Sequence, residues 1–195
     1  MKRLFLFFLS IVTFSSFAQN KVLPADVQIK TALTAAPDMY KESATVLGYD
    51  KDGKLTTIRK GNNELICLAD DPNVDGISVA CYSSKLEPFM ARGRELIAEG
   101  KTEKEKREIR QKEIEAGTLK MPDEAAAVYV VTADEEDLDK TTGELKNSHI
   151  RYVFYKPYMT AESTGLPTKP QAPGMPWLMD AGTHRAHIMV TPPKN

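Results

Sequence analysis

Five prolines, Pro157, Pro167, Pro170, Pro173 and Pro176, fall within twenty positions near the end of this chain. No other feature restricts its fold more. Each fixes φ at about −65° and lacks the N–H that a helix interior or a sheet ladder needs, so the stretch is neither a long helix nor an interior strand. A segment of this kind is costly to order unless it packs on something or covers something. Residues 157–185 also carry the single tryptophan, Trp177, and His184, with His187 close behind. They rank first as a functional locus; the plainer reading is a loop that seals an open end or edge of a sheet.

Upstream, the hydrophobic pattern is regular. Residues 24–36 place Ile29, Leu33 and Ala36 on one helical face before Pro37 stops the helix. Strands are expected over 44–49 and 55–59, around the turn Asp50-Lys51-Asp52-Gly53, and over 64–69 and 77–82, around a turn at 70–76. Ser84-Lys85-Leu86-Glu87 matches a capping box and opens a helix with Phe89, Met90, Leu96 and Ile97 on one face. Thr102-Glu103-Lys104-Glu105 opens another, running to Ala116, with Glu103/Arg107 and Glu108/Lys112 spaced as i, i+4 ion pairs. Only Ile109 and Ile114 offer it apolar contact, so it reads as a solvated face or as an arm that docks on a partner. Residues 127–132 and 149–155 are the strongest strand candidates, and 186–191 form a last one.

Strands group with strands and helices with helices, which predicts an α+β fold: a mainly antiparallel sheet with helices packed on one face. A small closed barrel with added helices is the alternative. Residues 19–195 are expected to form a single domain.

Residues 1–18 read as a signal peptide. Lys2-Arg3 precedes an apolar run over 4–14, and Ser16-Phe17-Ala18 supplies the small residues of a cleavage site. The run is shorter than the roughly 20 apolar residues of a membrane span, so the expected protein is secreted or periplasmic after cleavage near Ala18, with no membrane insertion of the mature chain. Losing Lys2 and Arg3 takes the formal charge from −1 to −3, which leaves no basic excess for nucleic acid. In an oxidising compartment the two cysteines, Cys67 and Cys81, are expected to form a disulfide. A redox-active or metal-binding pair is the rival reading, although the spacing is not C-x-x-C.

Sharp catalytic motifs are absent from the sequence: it has no glycine-flanked serine of a nucleophile elbow, no phosphate loop and no dinucleotide turn. No cofactor is predicted outright. His184-Arg185-Ala186-His187 is an H-x-x-H whose imidazoles, with His149 or Asp180, offer a possible zinc site. Asp71, Asn73 and Asp75, followed by Gly76, fit the start of a calcium loop, but place twelve is Tyr82 rather than glutamate, so a turn with local hydrogen bonds is the competing reading. Tyr152, Tyr155 and Tyr158 would line an apolar pocket with Trp177 if the proline segment folds back on the strand over 149–155; otherwise they are core.

Two runs, Gly174-Met175-Pro176-Trp177-Leu178-Met179-Asp180-Ala181-Gly182-Thr183 with His187-Ile188-Met189-Val190-Thr191-Pro192, and Leu86-Glu87-Pro88-Phe89-Met90-Ala91-Arg92-Gly93-Arg94-Glu95-Leu96, resemble segments of secreted bacterial proteins with no assigned activity. The resemblance spans most of the mature chain and implies an independent extracytoplasmic domain, without implying a ligand or a reaction. The expected function is therefore a binding or accessory module for a small molecule, a peptide or an envelope protein. A metal-dependent hydrolase or metal-handling protein built on His184 and His187 is the alternative, and a structural subunit that docks through the helix over 102–116 is a third reading.

Overall fold

The structure is a computed structural model that describes residues 22–193. The signal peptide read over 1–18 lies outside them. Eight strands form one open sheet: β1 (Thr45–Tyr49), β2 (Leu55–Arg59), β3 (Leu65–Leu68), β4 (Ile77–Ser83), β5 (Ala126–Ala133), β6 (His149–Tyr155), β7 (Trp177–Met179) and β8 (His187–Val190). Their order is β2-β1-β3-β4-β5-β6-β8-β7, antiparallel at every step except β1 with β3. β2 and β7 are the two edges and do not pair with each other, so the sheet does not close into a barrel. The α+β class and the mainly antiparallel sheet are as expected.

Helices lie on both faces of this sheet rather than on one. Alternation along β4 sends Ile77, Val79 and Cys81 to one side and Tyr82 to the other. On the first side the helix α1 (Ala25–Ala32) and the turn after it press Ala32 and Ala35 against Val46, Cys67 and Val79. On the second side the connection between β4 and β5 supplies α3 (Glu87–Ala98), whose start sets Leu86 and Met90 against Tyr82 and Val128. The strands at the middle of the sheet, β3 and β4, are therefore covered on both faces, and two helical layers are needed to do it. α2 (Asp38–Lys41) is a single turn before β1.

Cys67 and Cys81 stand directly opposite each other on β3 and β4, with Cα atoms 4.0 Å apart, and form a disulfide in the core of the first face. Gln28 of α1 is buried there too, and its amide acts as a short substitute strand. Its Oε1 accepts from Tyr49 N at 2.8 Å, while Nε2 donates to Tyr49 O at 2.9 Å. Gly48 makes room for this, since a Cβ there would lie 2.6 Å from Gln28 Oε1 and 2.5 Å from Ile58 Cδ1.

Two local expectations change. Ser84 and Glu87 form no capping box: Ser83 caps a 3-10 turn instead, and the Glu87 carboxylate accepts from the Tyr82 hydroxyl at 2.5 Å and from Arg94 at 2.7 Å. Ile97 points to solvent, and Phe89, Gly93 and Leu96 form the buried stripe of α3. On α4 (Glu103–Glu115) the Thr102 capping box is present, but Glu103 pairs with Lys106 and Glu108 with Lys104 rather than with Arg107 and Lys112. No described helix is long and apolar enough to cross a membrane.

Candidate functional site

The proline-rich segment leaves β6, makes the one-turn helix α5 (Ala161–Thr164), runs out beyond the sheet edge and returns as β7 before β8 enters between β7 and β6. Three strands consequently present a grid of side chains on the second face. Val153, Met189 and Trp177 form one rung, and Tyr155, His187 and Met179 the next. The Gly174 N–H donates to Thr191 O at 2.9 Å and extends the pairing, which brings Met175 in beside Thr191.

One end of this grid is covered and the other is open. At the covered end Tyr155 stacks on His187 with ring centroids 4.7 Å apart, and Phe89 of α3 packs on Tyr155 at 6.2 Å and on His184 at 5.9 Å. Above Phe89 lies the guanidinium of Arg110 from α4, 3.9 Å from the ring centroid. Gly93 permits this approach, for a Cβ there would come within 3.1 Å of the Arg110 guanidinium. At the open end, Met175, Trp177, Met179 and Met189 form the floor of a groove walled by Pro170, Pro173 and Pro192, with Arg151 and His149 toward one end. Its volume is ≈ 670 Å³, in the range of small-molecule sites, and among the described residues no carboxylate lines it.

The residues picked out in the sequence are only partly brought together. Trp177 lines the groove, half-buried. Tyr155 shares its face one rung away, under Phe89. Tyr152 projects from the opposite face, where it meets Tyr129 edge-on at 6.2 Å, because strand residues three apart cannot share a side. Tyr158 is exposed on the loop after β6, its N–H donating to Thr183 O at 2.8 Å. The four aromatics do not make one wall.

The histidines are also divided. His149 lies six residues along β6 from Tyr155, the partner of His187, a span of about 20 Å of extended chain. The His187 Nδ1–H donates to Arg185 O at 2.6 Å, and His184 Nδ1 pairs with the Gln111 side-chain oxygen. Burial pushes the His184 imidazole down to about 4, with Arg185 and Arg110 adding to it, and burial also lowers His187. Asp180 faces Arg185 at 3.4 Å. Among the described residues no three or more His, Cys, Asp or Glu side chains are grouped to hold a metal. In the proposed calcium loop, Asp71 Oδ1 accepts from the Asn73 backbone and side-chain nitrogens, both at 3.0 Å, as in a self-contained turn.

Arg110 and Lys106 were not legible as buried residues, since both lie on a helix that reads as charged throughout. The only available sign was their i, i+4 spacing. A second cavity likewise has no signal in the sequence. It lies on the first face beside α1, lined by Gln28, Thr31, Tyr49, Asp70 and Glu135 among others. Burial there pushes the Asp70 carboxyl up to about 6, with Asp71 and Glu135 adding to the rise. At ≈ 100 Å³ it holds no more than a few waters, which leaves the Trp177 groove as the roomier site.

No protein family, curated protein or solved structure matches the chain.

Proposed function

We infer that this protein is an extracytoplasmic binding module and that its ligand lies in the groove over Trp177. The observation that carries this reading is an open groove with an apolar floor, lined by no carboxylate among the described residues and built where the proline segment returns to the sheet. A long irregular segment held in place by a three-residue strand and backbone bonds is the kind of element that forms binding sites on a rigid scaffold. The leader-like residues 1–18 and the disulfide support a location outside the cytoplasm. Arg151 at the end of an apolar floor suits a ligand with a flat apolar body and one anionic group, whether small molecule or peptide.

Anilinonaphthalene sulfonate has this chemistry and tests the reading. It should bind at one site, quench the single tryptophan by energy transfer, and lose at least tenfold in affinity in Trp177→Ala and in Arg151→Gln, both with native circular dichroism. Equal binding by wild type and both variants would remove the groove as the site. Stoichiometric zinc in the purified protein, lost together in His184→Ala and His187→Ala, would favour the metal-dependent hydrolase instead.

A further inference from the structure

Hydrogen-bonding partners are unevenly spread in this groove. Tyr152 pairs with Val190, and one step further along both chains Arg151 comes beside Thr191, on the same face as Met189 and Trp177. Arg92, Arg94 and Arg185 are ion-paired, whereas Arg151 has no such partner among the described residues. Away from that end, the floor over Met189, Trp177 and Met179 is thioether and indole, which hold no strong acceptor, and Pro170, Pro173 and Pro192 wall it with rings that lack an N–H. Gln171, on the wall, gives its amide to Lys169 O at 3.2 Å. The backbone is engaged as well: the Gly174 N–H donates to Thr191 O, Met175 N–H to Ala172 O at 3.2 Å and Leu178 N–H to Pro167 O at 2.8 Å, so the outer edge of β7 is already taken by the proline segment. A peptide laid along this floor would bury amides without partners, which is costly.

Resting on the reading of this groove as the binding site, we propose that its ligand is an aryl carboxylate rather than a peptide: a planar bicyclic body on Trp177 and Met189, with its carboxylate on the Arg151 guanidinium and the Thr191 hydroxyl. A guanidinium fork meets a carboxylate in two parallel bonds, which fixes the orientation of the head group. Two strand spacings of about 4.8 Å and one rung of about 7 Å separate the Arg151 and Trp177 backbones, a diagonal of roughly 12 Å. The arginine side chain spans part of that distance, and a bicyclic acid spans the rest. Offset stacking on the indole favours a flat aromatic body over a saturated chain, and a rigid ligand loses less freedom on binding than a flexible one.

The test is displacement of anilinonaphthalene sulfonate by four competitors: 2-naphthoate, its methyl ester, decanoate, and the peptide acetyl-Ala-Ala-Phe with a free carboxylate. 2-Naphthoate should displace the dye at one site, and the other three should each bind about tenfold more weakly or worse. Arg151→Gln should weaken 2-naphthoate about tenfold while changing the ester less than about twofold, and Arg151→Lys, which keeps the charge without the fork, should fall between wild type and Arg151→Gln. Equal binding of acid and ester, equal losses of both in Arg151→Gln, or a peptide or decanoate as tight as 2-naphthoate overturns the proposal. The comparison of competitors on wild type holds even where a variant fails to fold. Dye binding that remains sensitive to Trp177→Ala while 2-naphthoate fails to compete would end the aryl carboxylate inference alone, whereas dye binding indifferent to Trp177→Ala would also end the groove reading.

Discussion

His184 is 3% exposed, and its environment sets the sign of a pH effect. Unfolded, its imidazole titrates near 6.5; folded, burial first and then Arg185 and Arg110 bring it to about 4. Between those values the unfolded chain binds a proton that the native one refuses. The stabilisation is therefore whole above pH 6.5 and is lost as pH falls toward 4, up to about 3 kcal/mol at about 1.4 kcal/mol per unit. Asp70 acts with the opposite sign: its carboxyl holds a proton up to about 6 in the folded state, and stability from it is lost as pH rises from 3.8 through that value. Urea unfolding at pH 4.5 and 7.5 separates them, because His184→Asn should show a smaller loss of stability at pH 4.5 than wild type, with the part due to the buried His187 remaining. The same pH dependence in both proteins would contradict the assignment.

Arg110 is the second residue to test. Its guanidinium lies over Phe89 with Nη1 3.3 Å from Phe89 O, and Nε has no partner among the described residues. Burial holds its basicity below the usual arginine range. Arg110→Met keeps the stem and removes the charge, so its stability should lie within about 1 kcal/mol of wild type or above it. Arg110→Ala uncovers Phe89 and should cost about 2 kcal/mol. Thermal unfolding of the pair distinguishes packing from charge: equal losses would mean that the charge itself carries the contact. Cysteine pairing is readable at this scale from the count of two, whereas the burial of Arg110 is not, since it depends on α3 presenting Phe89 and Gly93 to α4.

Among the elements, the strands expected from alternation are all present, because β-branched and aromatic runs flanked by Asp-Gly turns leave little choice of conformation. β7 was not anticipated. It is three residues long in a proline-rich stretch, and among the described residues its strand partner is β8, so its own composition carries no signal. The Ser84 capping box failed for a related reason: Tyr82 and Arg94 compete successfully for the Glu87 carboxylate. At Thr102 the Glu105 carboxylate instead accepts from the Thr102 N–H at 2.9 Å and from its hydroxyl at 2.7 Å. Thr102→Ala should cost about 1 kcal/mol in chemical denaturation, and Ser84→Ala should cost less, given its exposed bond to Glu64. Between β3 and β4, the disulfide closes a loop with 14 positions of separation, which restricts the unfolded chain by roughly 3 kcal/mol. The Cys67→Ala/Cys81→Ala variant should lower the urea midpoint accordingly, and reductant should then have no further effect on it.

At the scale of the whole molecule, one sheet serves two cores. α1 covers the first face, α3 with α4 part of the second, and the remaining open area of the second face becomes the groove. The proline segment forms its outer wall, so stiffness there should matter for binding more than for folding. Pro170→Ala/Pro173→Ala should weaken anilinonaphthalene sulfonate several-fold and change stability by less than about 1 kcal/mol. An unchanged affinity would show that the prolines do not shape the site.

By itself the sequence determined the α+β class, the regular strands, the pairing of Cys67 with Cys81 and the irregularity of the proline stretch. These depend on local periodicity, turn chemistry and residue count, which are written along the chain. Only the tertiary structure decided which faces the helices cover, that β8 enters between β6 and β7, and that Trp177 meets methionines rather than Tyr152 and Tyr158. Those outcomes depend on register between strands distant in sequence, where a shift of one residue sends every side chain to the other face.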